Sequence, residues 1–280
     1  MAQPSLLPAE PTVIYAVPRW DPAWAVPEVP VPESDMHDAA IEWLRGLLLA
    51  WVERSGRDIK VVRNLGIRWM PEEPRAGFDP DLCLIEPSPP NDEPLPSLRL
   101  WQPRHAAPLL AIEVVSQGHP YKDYVDTPER CAACGVRELW VYDPMMVGPV
   151  ARGGPHLLQV WQRTDSGRFE RTEAGSEAAF SPTLQAWLHP QRSRLPAGAR
   201  LHVSHDAAGR DRWLSAEQQA RIGEQQARHE AQQARVGEQQ ARDEAQQARA
   251  LLERERQQRD ALERELDLLR KEHDGERRSR

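Results

Sequence analysis

Residues 108–144 read PLLAIEVVSQGHPYKDYVDTPERCAACGVRELWVYDP and decide the fold of this chain. The segment opens with a near-continuous aliphatic run, residues 108–115, which is the pattern of a strand buried on both faces. A helix-compatible stretch over residues 127–134 follows, with Gly135 as its C-cap, and residues 137–143 form a second buried strand. A helix between two buried strands predicts a sheet that is covered by helices.

Further elements are predicted on both sides of this segment. Apolar residues at helical spacing predict an amphipathic helix over residues 35–54, with Ser34 or Asp35 as its N-cap. We therefore expect an α/β (α+β) protein with a mixed sheet flanked by helices. The remaining predicted elements are one or two strands over residues 59–69, a strand over 78–85, a hairpin over 157–172 and edge strands within 184–203.

Shifts in composition predict four regions along the chain. Residues 1–33 are rich in proline and lack periodicity, which indicates an extended segment whose tryptophan-rich end packs on the core. The folded domain spans residues 34–203. A polar stretch that begins with SHDAAGRDR predicts a linker over residues 204–215, and residues 216–280 form a helical tail.

The tail is a sequence repeat. The tetrad Gln-Gln-Ala-Arg recurs with a period of seven between residues 218 and 249, which favours a long helix and suggests a coiled coil. The seam of that coiled coil is mostly alanine up to Ala250, and alanine contacts bury little apolar area. We therefore expect at most a weak homo-oligomer through the leucine-richer residues 251–271. A solvated single helix is the alternative interpretation.

Composition and charge exclude several classes of protein. The chain has 280 residues, and its longest apolar run, residues 46–52, is far too short for a transmembrane helix. No secretory leader pattern is visible and three cysteines cannot pair completely, so we expect a soluble protein of the cytoplasm. The net charge is −7, of which the tail carries −1. A DNA-directed function would therefore need a local basic groove or a bound metal ion.

Two carboxylates stand out by their position. Asp81 follows Pro80 at the head of an apolar run, and Glu113 lies inside LLAIEVV, where burying a charge is costly unless it is paired or bound to a metal. Carboxylates on neighbouring strands can hold Mg²⁺, which activates water and stabilises charge on a phosphoryl group. The alternative is structural, with Asp81 capping a turn and Glu113 facing an arginine at a sheet edge.

Three motifs give the chain a family resemblance. Pro80-Asp81, the sequence E-V-x-S that begins at Glu113, and G-V-x-E-x-W-x-x-D over residues 135–143 resemble the restriction endonucleases of the Uma type, within the PD-(D/E)XK nuclease superfamily. The resemblance covers roughly residues 35–190. It implies a restriction-endonuclease-like core and a DNA endonuclease that uses Mg²⁺, or Mn²⁺ as an alternative ion. It also implies that Asp81 and Glu113 are the metal-binding acids.

The lysine of the D/E-x-K motif is missing from its usual place. The third position of the motif holds Val115, and the helical position from which the wider family supplies a lysine corresponds to Thr127. Of the three lysines in the chain, only Lys122 lies in this region. Lys122 is therefore the candidate for orienting the attacking water, and Arg130 is a poorer substitute because arginine is hardly ever deprotonated.

One further motif and three further residues are weaker candidates. Cys131 and Cys134 have CxxC spacing but lack a second pair, so helix packing is favoured over zinc binding. His37 starts the first helix, where it either lines the cleft or is a capping or exposed residue. His119 could contact a metal ion or a phosphate. Ser116 could donate a hydrogen bond to a site carboxylate or simply end the strand.

Two functions of different classes remain open at this point. The first is a Mg²⁺-dependent DNA endonuclease that acts through Asp81, Glu113 and Lys122. The second is a catalytically degenerate nuclease fold that serves as a binding or assembly module through its helical tail. The retained acids favour the first, whereas the acidic head and the absent E-x-K lysine favour the second. A purely structural coiled-coil protein is poorly supported, because the head is most of the chain.

Overall fold

The computed structural model describes residues 13–14, 21, 24, 35–90, 95–191 and 200–278. The chain divides into two compact units, Met1–Glu217 and Gln218–Arg280. The helical elements are α1 (Asp35–Ser55), a π turn (Lys122–Asp126) that leads directly into α2 (Thr127–Cys134), a short 3-10 turn (Val150–Arg152) and α3 (Ala216–Arg278). The strands are β1 (Val13–Ile14), β2 (Lys60–Arg63), β3 (Gly66–Arg68), β4 (Gly77–Phe78), β5 (Leu82–Ile85), β6 (Ser97–Arg99), β7 (Leu110–Val114), β8 (Glu138–Tyr142), β9 (Leu158–Arg163), β10 (Phe169–Gly175), β11 (Ala179–Ser181), β12 (Ala186–Gln191) and β13 (Arg200–Ser204).

A seven-stranded sheet in the order β1-β10-β9-β8-β7-β5-β2 forms the centre of the first unit. Within it β7 and β8 run parallel, and the other described pairs are antiparallel, so the predicted mixed sheet flanked by helices is confirmed. The parallel pair arises because the chain crosses over through α2 between two strands whose residues are all buried.

Alternate residues of the central strands face two apolar layers, as the two-residue period of a strand requires. One layer is formed with α1 and with a three-stranded sheet in the order β11-β12-β13. The other layer is formed with α2 and with a second small sheet in the order β4-β3-β6. The site described below lies on the α2 side of the central sheet.

The segment 78–85, predicted as one strand, is two strands in different sheets. β4 ends at Phe78 and pairs with β3, whereas β5 begins at Leu82 and belongs to the central sheet. Pro80 separates them, since proline lacks the N–H that a central strand needs. This break places Asp81 at the head of β5. Residues 59–69 likewise divide into β2 and β3, as one of the two predicted alternatives.

The end of α2 and the following hairpin form as predicted. Gly135 caps α2 with a φ of 93°, a left-handed conformation that glycine adopts without steric penalty. Arg163 on β9 donates hydrogen bonds to three carbonyls at the end of α2 and just beyond it, and to the carbonyl of Gly167 in the hairpin turn. One side chain therefore connects the β9–β10 hairpin to the end of α2.

Most of the predicted extended segment, residues 1–33, lies outside the described residues. Within its described positions, β1 pairs antiparallel with β10. Trp24 is buried, and its ring lies edge-on to that of Trp69 with a centroid distance of 6.0 Å.

The polar segment 204–215, predicted as a linker, carries one buried aromatic residue. Trp213 is 4% exposed and stacks on Trp51 of α1, with ring centroids 5.9 Å apart. Its backbone N–H donates to the carbonyl of Val203 in β13. The segment is therefore held against the core at Trp213.

The second unit is one long helix, as the repeat predicts. α3 contains 63 residues, which corresponds to about 95 Å. Every described side chain from residue 219 to residue 264 is exposed. The repeat sets Glu224 against Arg228 and Glu238 against Arg242, and ion pairs of this spacing each stabilise a helix by about 0.3 kcal/mol. Among the described helices, none combines the length and the apolar character needed to cross a membrane.

Candidate active site

Asp81 lies at the head of β5, next to β7 in the central sheet. Its Oδ2 accepts the backbone N–H of Val114 at 2.7 Å, which ties the carboxylate to the neighbouring strand. The antiparallel register pairs Leu82 with Ile112, so that one residue further along Asp81 stands opposite Glu113. The structure therefore brings together the two acids that the sequence singled out.

Glu113 is a buried carboxylate near the end of β7, with 1% of its surface exposed. Its Oε1 accepts a long hydrogen bond of 3.4 Å from the hydroxyl of Thr127 on α2. Burial raises the pKa of Glu113 well above its ordinary value, the ammonium of Lys122 opposes this shift, and the carboxylates of Asp81 and Asp123 add to it. Burial therefore favours the neutral form of Glu113, and its ionised form depends on positive charge close to it.

Lys122 supplies one such charge from the π turn. Its Nζ lies 3.9 Å from Oδ1 of Asp123, and 40% of its side chain is exposed. The carboxylate of Glu113 is the main cause that raises the pKa of Lys122 above its ordinary value, and Asp123 and Asp81 contribute in the same direction. The neighbouring carboxylates therefore favour the protonated form of Lys122.

Asp123 is a third buried acid at this site, and the sequence analysis did not single it out. The side chain is buried and accepts a hydrogen bond from the backbone N–H of Ser116. Burial raises its pKa to about 7, with Lys122 and His37 opposing the shift and Asp81 adding to it. The signal that could have found it is its spacing of four residues from Thr127, which places both on one helical face once the helix is extended backwards.

His37 belongs to the site, which is the first of the two alternatives that the sequence left open for it. The imidazole is buried at the start of α1, and its Nε2 lies 3.1 Å from Oδ2 of Asp81. Asp81 is thus held from two directions, by the backbone of Val114 and by the imidazole of His37. An isolated histidine in an amphipathic helix gives no sequence signal for such a contact.

The remaining candidates take other roles. His119 is exposed, and among the described residues it forms no hydrogen bond or ion pair with a site carboxylate. Arg130 is buried beside Glu113, and its Nη1 lies 3.3 Å from the carbonyl of Gly77. Cys131 and Cys134 are free thiols within the apolar layer, where burial raises their pKa, so they serve in packing.

The donor set of the acid pair fits a hard divalent cation. Both hydrogen bonds of the Asp81 carboxylate use Oδ2, and the hydrogen bond of Glu113 uses Oε1. Among the described residues, none donates a hydrogen bond to the second oxygen of either acid. No group of three or more His, Cys, Asp or Glu in the described part of the chain is arranged to hold a metal ion. Mg²⁺ usually takes one or two carboxylates and completes its shell with water and phosphate oxygens.

The fold and the site together define a class of protein: a mixed α/β domain whose central sheet carries an acid pair and a lysine beside it. Comparison with known proteins narrows this class. Residues 26–188, more than half of the chain, match the Uma2 family, described as "Putative restriction endonuclease". The chain belongs to this family.

Comparison with solved structures finds a chain of limited similarity. The crystal structure of a putative nuclease belonging to DUF820 from Anabaena variabilis matches with a TM-score of 0.39 and 15% sequence identity, over 55% of this chain and 76% of that one. No curated protein matches the chain.

Proposed function

We propose that the protein is a Mg²⁺-dependent endonuclease that hydrolyses phosphodiester bonds of DNA. Asp81 and Glu113 are the metal ligands in this proposal, and Mn²⁺ is an alternative ion. The observation that carries it is the placement of two carboxylates opposite each other on adjacent strands, with the cation of Lys122 beside them. Membership of the restriction endonuclease family supports DNA as the substrate class.

The residues around the acid pair have separate roles in this proposal. The N–H of Val114 and the imidazole of His37 orient Asp81, and the hydroxyl of Thr127 contacts Glu113. A bound Mg²⁺ would lower the pKa of the attacking water and offset charge on the phosphate. Because its pKa is raised, Lys122 stays protonated near neutral pH, so its role is electrostatic: it orients the water and stabilises the pentacovalent phosphate.

The charge balance requires a local source of positive charge for DNA binding. Outside the tail the chain carries a net charge of −6, and phosphate contacts dominate nucleic-acid affinity. In the proposed site the metal ion and Lys122 provide this charge. Arg130 adds a further positive charge near Glu113. The free, buried thiols suit a reducing compartment, and we place the protein in the cytoplasm.

A catalytically degenerate binding or assembly module is the second candidate. It is favoured by Val115, which is buried in the apolar layer at the position where the E-x-K motif would carry its lysine. Its interaction element would be α3, whose exposed leucines include Leu252, Leu262 and Leu266. Such a module would associate weakly through the leucine-richer end of α3.

Cleavage of supercoiled plasmid by the purified protein distinguishes the two candidates. We expect nicking or linearisation with Mg²⁺ or Mn²⁺, none with EDTA, and none from Asp81→Asn or Glu113→Gln. Asp79→Asn is the matched control, because Asp79 lies two residues before Asp81 and pairs with Arg68 instead of facing β7. Calorimetry with Mn²⁺ should show binding heat for the wild type and for Asp79→Asn, and none for Glu113→Gln.

Two results would contradict the proposal in different ways. Metal binding without cleavage under any condition would favour the degenerate module. Cleavage that persists in both Asp81→Asn and Glu113→Gln would show that the acid pair is not the catalytic centre.

A further inference from the structure

Tyr124 occupies the middle of the π turn and connects it to the loop that follows β8. The side chain is 5% exposed, although both neighbouring turns of the helix reach the surface. Its hydroxyl lies 3.0 Å from Oδ2 of Asp143, and the backbone N–H of His156 donates to it at 2.9 Å. The same loop is held by Asp143, which accepts the backbone N–H of Gly148 at 2.8 Å.

Two glycines of this loop leave room for the tyrosine ring. A Cβ atom added at Gly148 would lie within 2.5 Å of Cζ, Oη and Cε2 of Tyr124. A Cβ atom added at Gly154 would lie 2.8 Å from Cε1, on the opposite edge of the ring. The ring therefore fits a slot that only residues without a side chain can form.

The π turn needs stabilising contacts from outside the helix. π turns are rare, because the i→i+5 hydrogen bond fits the backbone less well than the i→i+4 bond of an α-helix. If residues 122–126 relaxed to α-helical geometry, the residues before α2 would rotate by about 100° relative to it. Lys122 would then leave the face that carries Thr127, which contacts Glu113. Asp123, four residues before Thr127, would stay on that face.

We propose that Tyr124, wedged between Gly148 and Gly154, is a positioning residue that holds the π turn so that Lys122 faces Glu113. Tyr124 points to the loop after β8 while its two preceding neighbours point to the acid pair. The wedge therefore fixes the helix register through the loop that follows β8. The catalytic meaning of this arrangement rests on the proposed nuclease function, but the placement of Lys122 is a property of the protein without DNA.

The test measures the protection of Lys122 from chemical modification. Reductive methylation of metal-free protein, followed by peptide mass mapping, reports each lysine separately, because the chain has only three. The variants are Tyr124→Ala, which removes the wedge, Gly148→Ala, which fills the slot from the loop side, and Tyr124→Phe, which removes only the hydroxyl. Tyr121→Ala, at an exposed tyrosine three residues earlier, is the matched control.

We expect Lys122 to be methylated about threefold faster in Tyr124→Ala and Gly148→Ala than in the wild type, the scale of losing one partly exposed ion pair. Lys60 serves as the internal reference, and its rate should not change. Tyr124→Phe should give an intermediate increase, and Tyr121→Ala none. Thermal melts identify the folded variants, and Tyr124→Phe is the mildest of them.

Unchanged methylation of Lys122 in every folded variant would overturn the proposal, as would an equal increase in Tyr121→Ala. If the wild type cleaves DNA, the variants that expose Lys122 should also lose cleavage while retaining Mn²⁺ binding. If the wild type does not cleave DNA, the proposed function fails, and the methylation result still decides whether Tyr124 positions Lys122.

Discussion

The backbone N–H of Thr127 donates to the carbonyl of Lys122, five residues earlier in the chain. In an α-helix two residues at this separation are rotated by about 140° from each other. The π turn instead stacks them on one side of the helix, the side that faces Glu113. Lys122 thereby reaches the region that Thr127 occupies, although it is more than one helical turn away in sequence.

Lys122→Ala should lower DNA cleavage by about two to three orders of magnitude, the scale for losing one preorganised charge-stabilising group. Adding Thr127→Lys to this variant should recover about one order of magnitude, because position 127 faces the same carboxylate. Initial rates of plasmid nicking at saturating Mg²⁺ measure both effects. Lys60→Ala is the control and should cleave at the wild-type rate. Equal cleavage by the wild type and Lys122→Ala would remove Lys122 from the mechanism.

Asp123→Asn should stabilise the protein increasingly as the pH rises from 5 to 8. The pKa of Asp123 is raised from 3.8 to about 7 in the folded state, so the folded protein binds this proton more tightly than the unfolded chain. The resulting stabilisation is complete below the pKa that Asp123 has in the unfolded chain. It is lost as the pH rises through the pKa that Asp123 has in the folded protein. An asparagine cannot ionise and avoids this loss.

Thermal melts in EDTA across this pH range measure the difference in Tm between Asp123→Asn and the wild type. Asp206→Asn is a suitable control, because backbone hydrogen bonds lower the pKa of Asp206. The change in Tm caused by Asp206→Asn should therefore be constant above pH 5. A Tm difference that stays constant for Asp123→Asn would mean that Asp123 is ionised throughout.

A chain that ends at Glu217 should melt within a few degrees of the full-length protein, whereas one that ends at Ala208 should melt roughly 10 °C lower. The shorter chain lacks Trp213, which is buried against Trp51. Circular dichroism or differential scanning calorimetry measures the melts. Trp213→Ala in the chain that ends at Glu217 should reproduce most of the loss. Equal melts for the two truncated chains would show that this aromatic contact contributes little.

The tail should associate weakly, through its leucine-richer end. Leu252, Leu262 and Leu266 are exposed on α3, whereas the preceding repeats present alanines that bury little area on contact. Sedimentation equilibrium of the full-length protein at increasing concentration should show a shift toward dimer. Leu262→Lys should abolish the shift, and Ala231→Lys, in the alanine-rich part, should leave it nearly unchanged. Monomer at every concentration would favour the solvated single helix.

The sequence predicted the elements that have a recognisable local pattern of apolar residues or turn residues. The buried runs of β7 and β8, the amphipathic helix α1, the cap at Gly135 and the hairpin after β8 follow from periodicity and turn chemistry, and the structure contains them all. Asp81 and Glu113 were singled out because they head or interrupt buried apolar runs, and their pairing was expected from the family resemblance. The small sheet β4-β3-β6 was not predicted, because its strands are only two or three residues long.

The rest of the site depends on contacts that no local pattern encodes. Lys122 lies on the side of Thr127 because of the π turn, and a π turn leaves no mark in hydrophobic periodicity. His37 meets Asp81 across 44 residues of sequence. The slot for Tyr124 requires two glycines in a loop that begins nineteen residues later, at Asp143. Each of these features becomes visible only when distant segments are packed together.

The guanidinium of Arg163 bonds to the end of α2 and to the hairpin turn at the same time. Carbonyls at a helix end normally open to water first, and here they are held by a side chain from a strand of the central sheet. Fraying of α2 is therefore coupled to opening of the sheet. Amide protons of residues 131–136 should exchange with solvent as slowly as those of β9, and heat should loosen the helix that carries Thr127 only when the sheet itself opens.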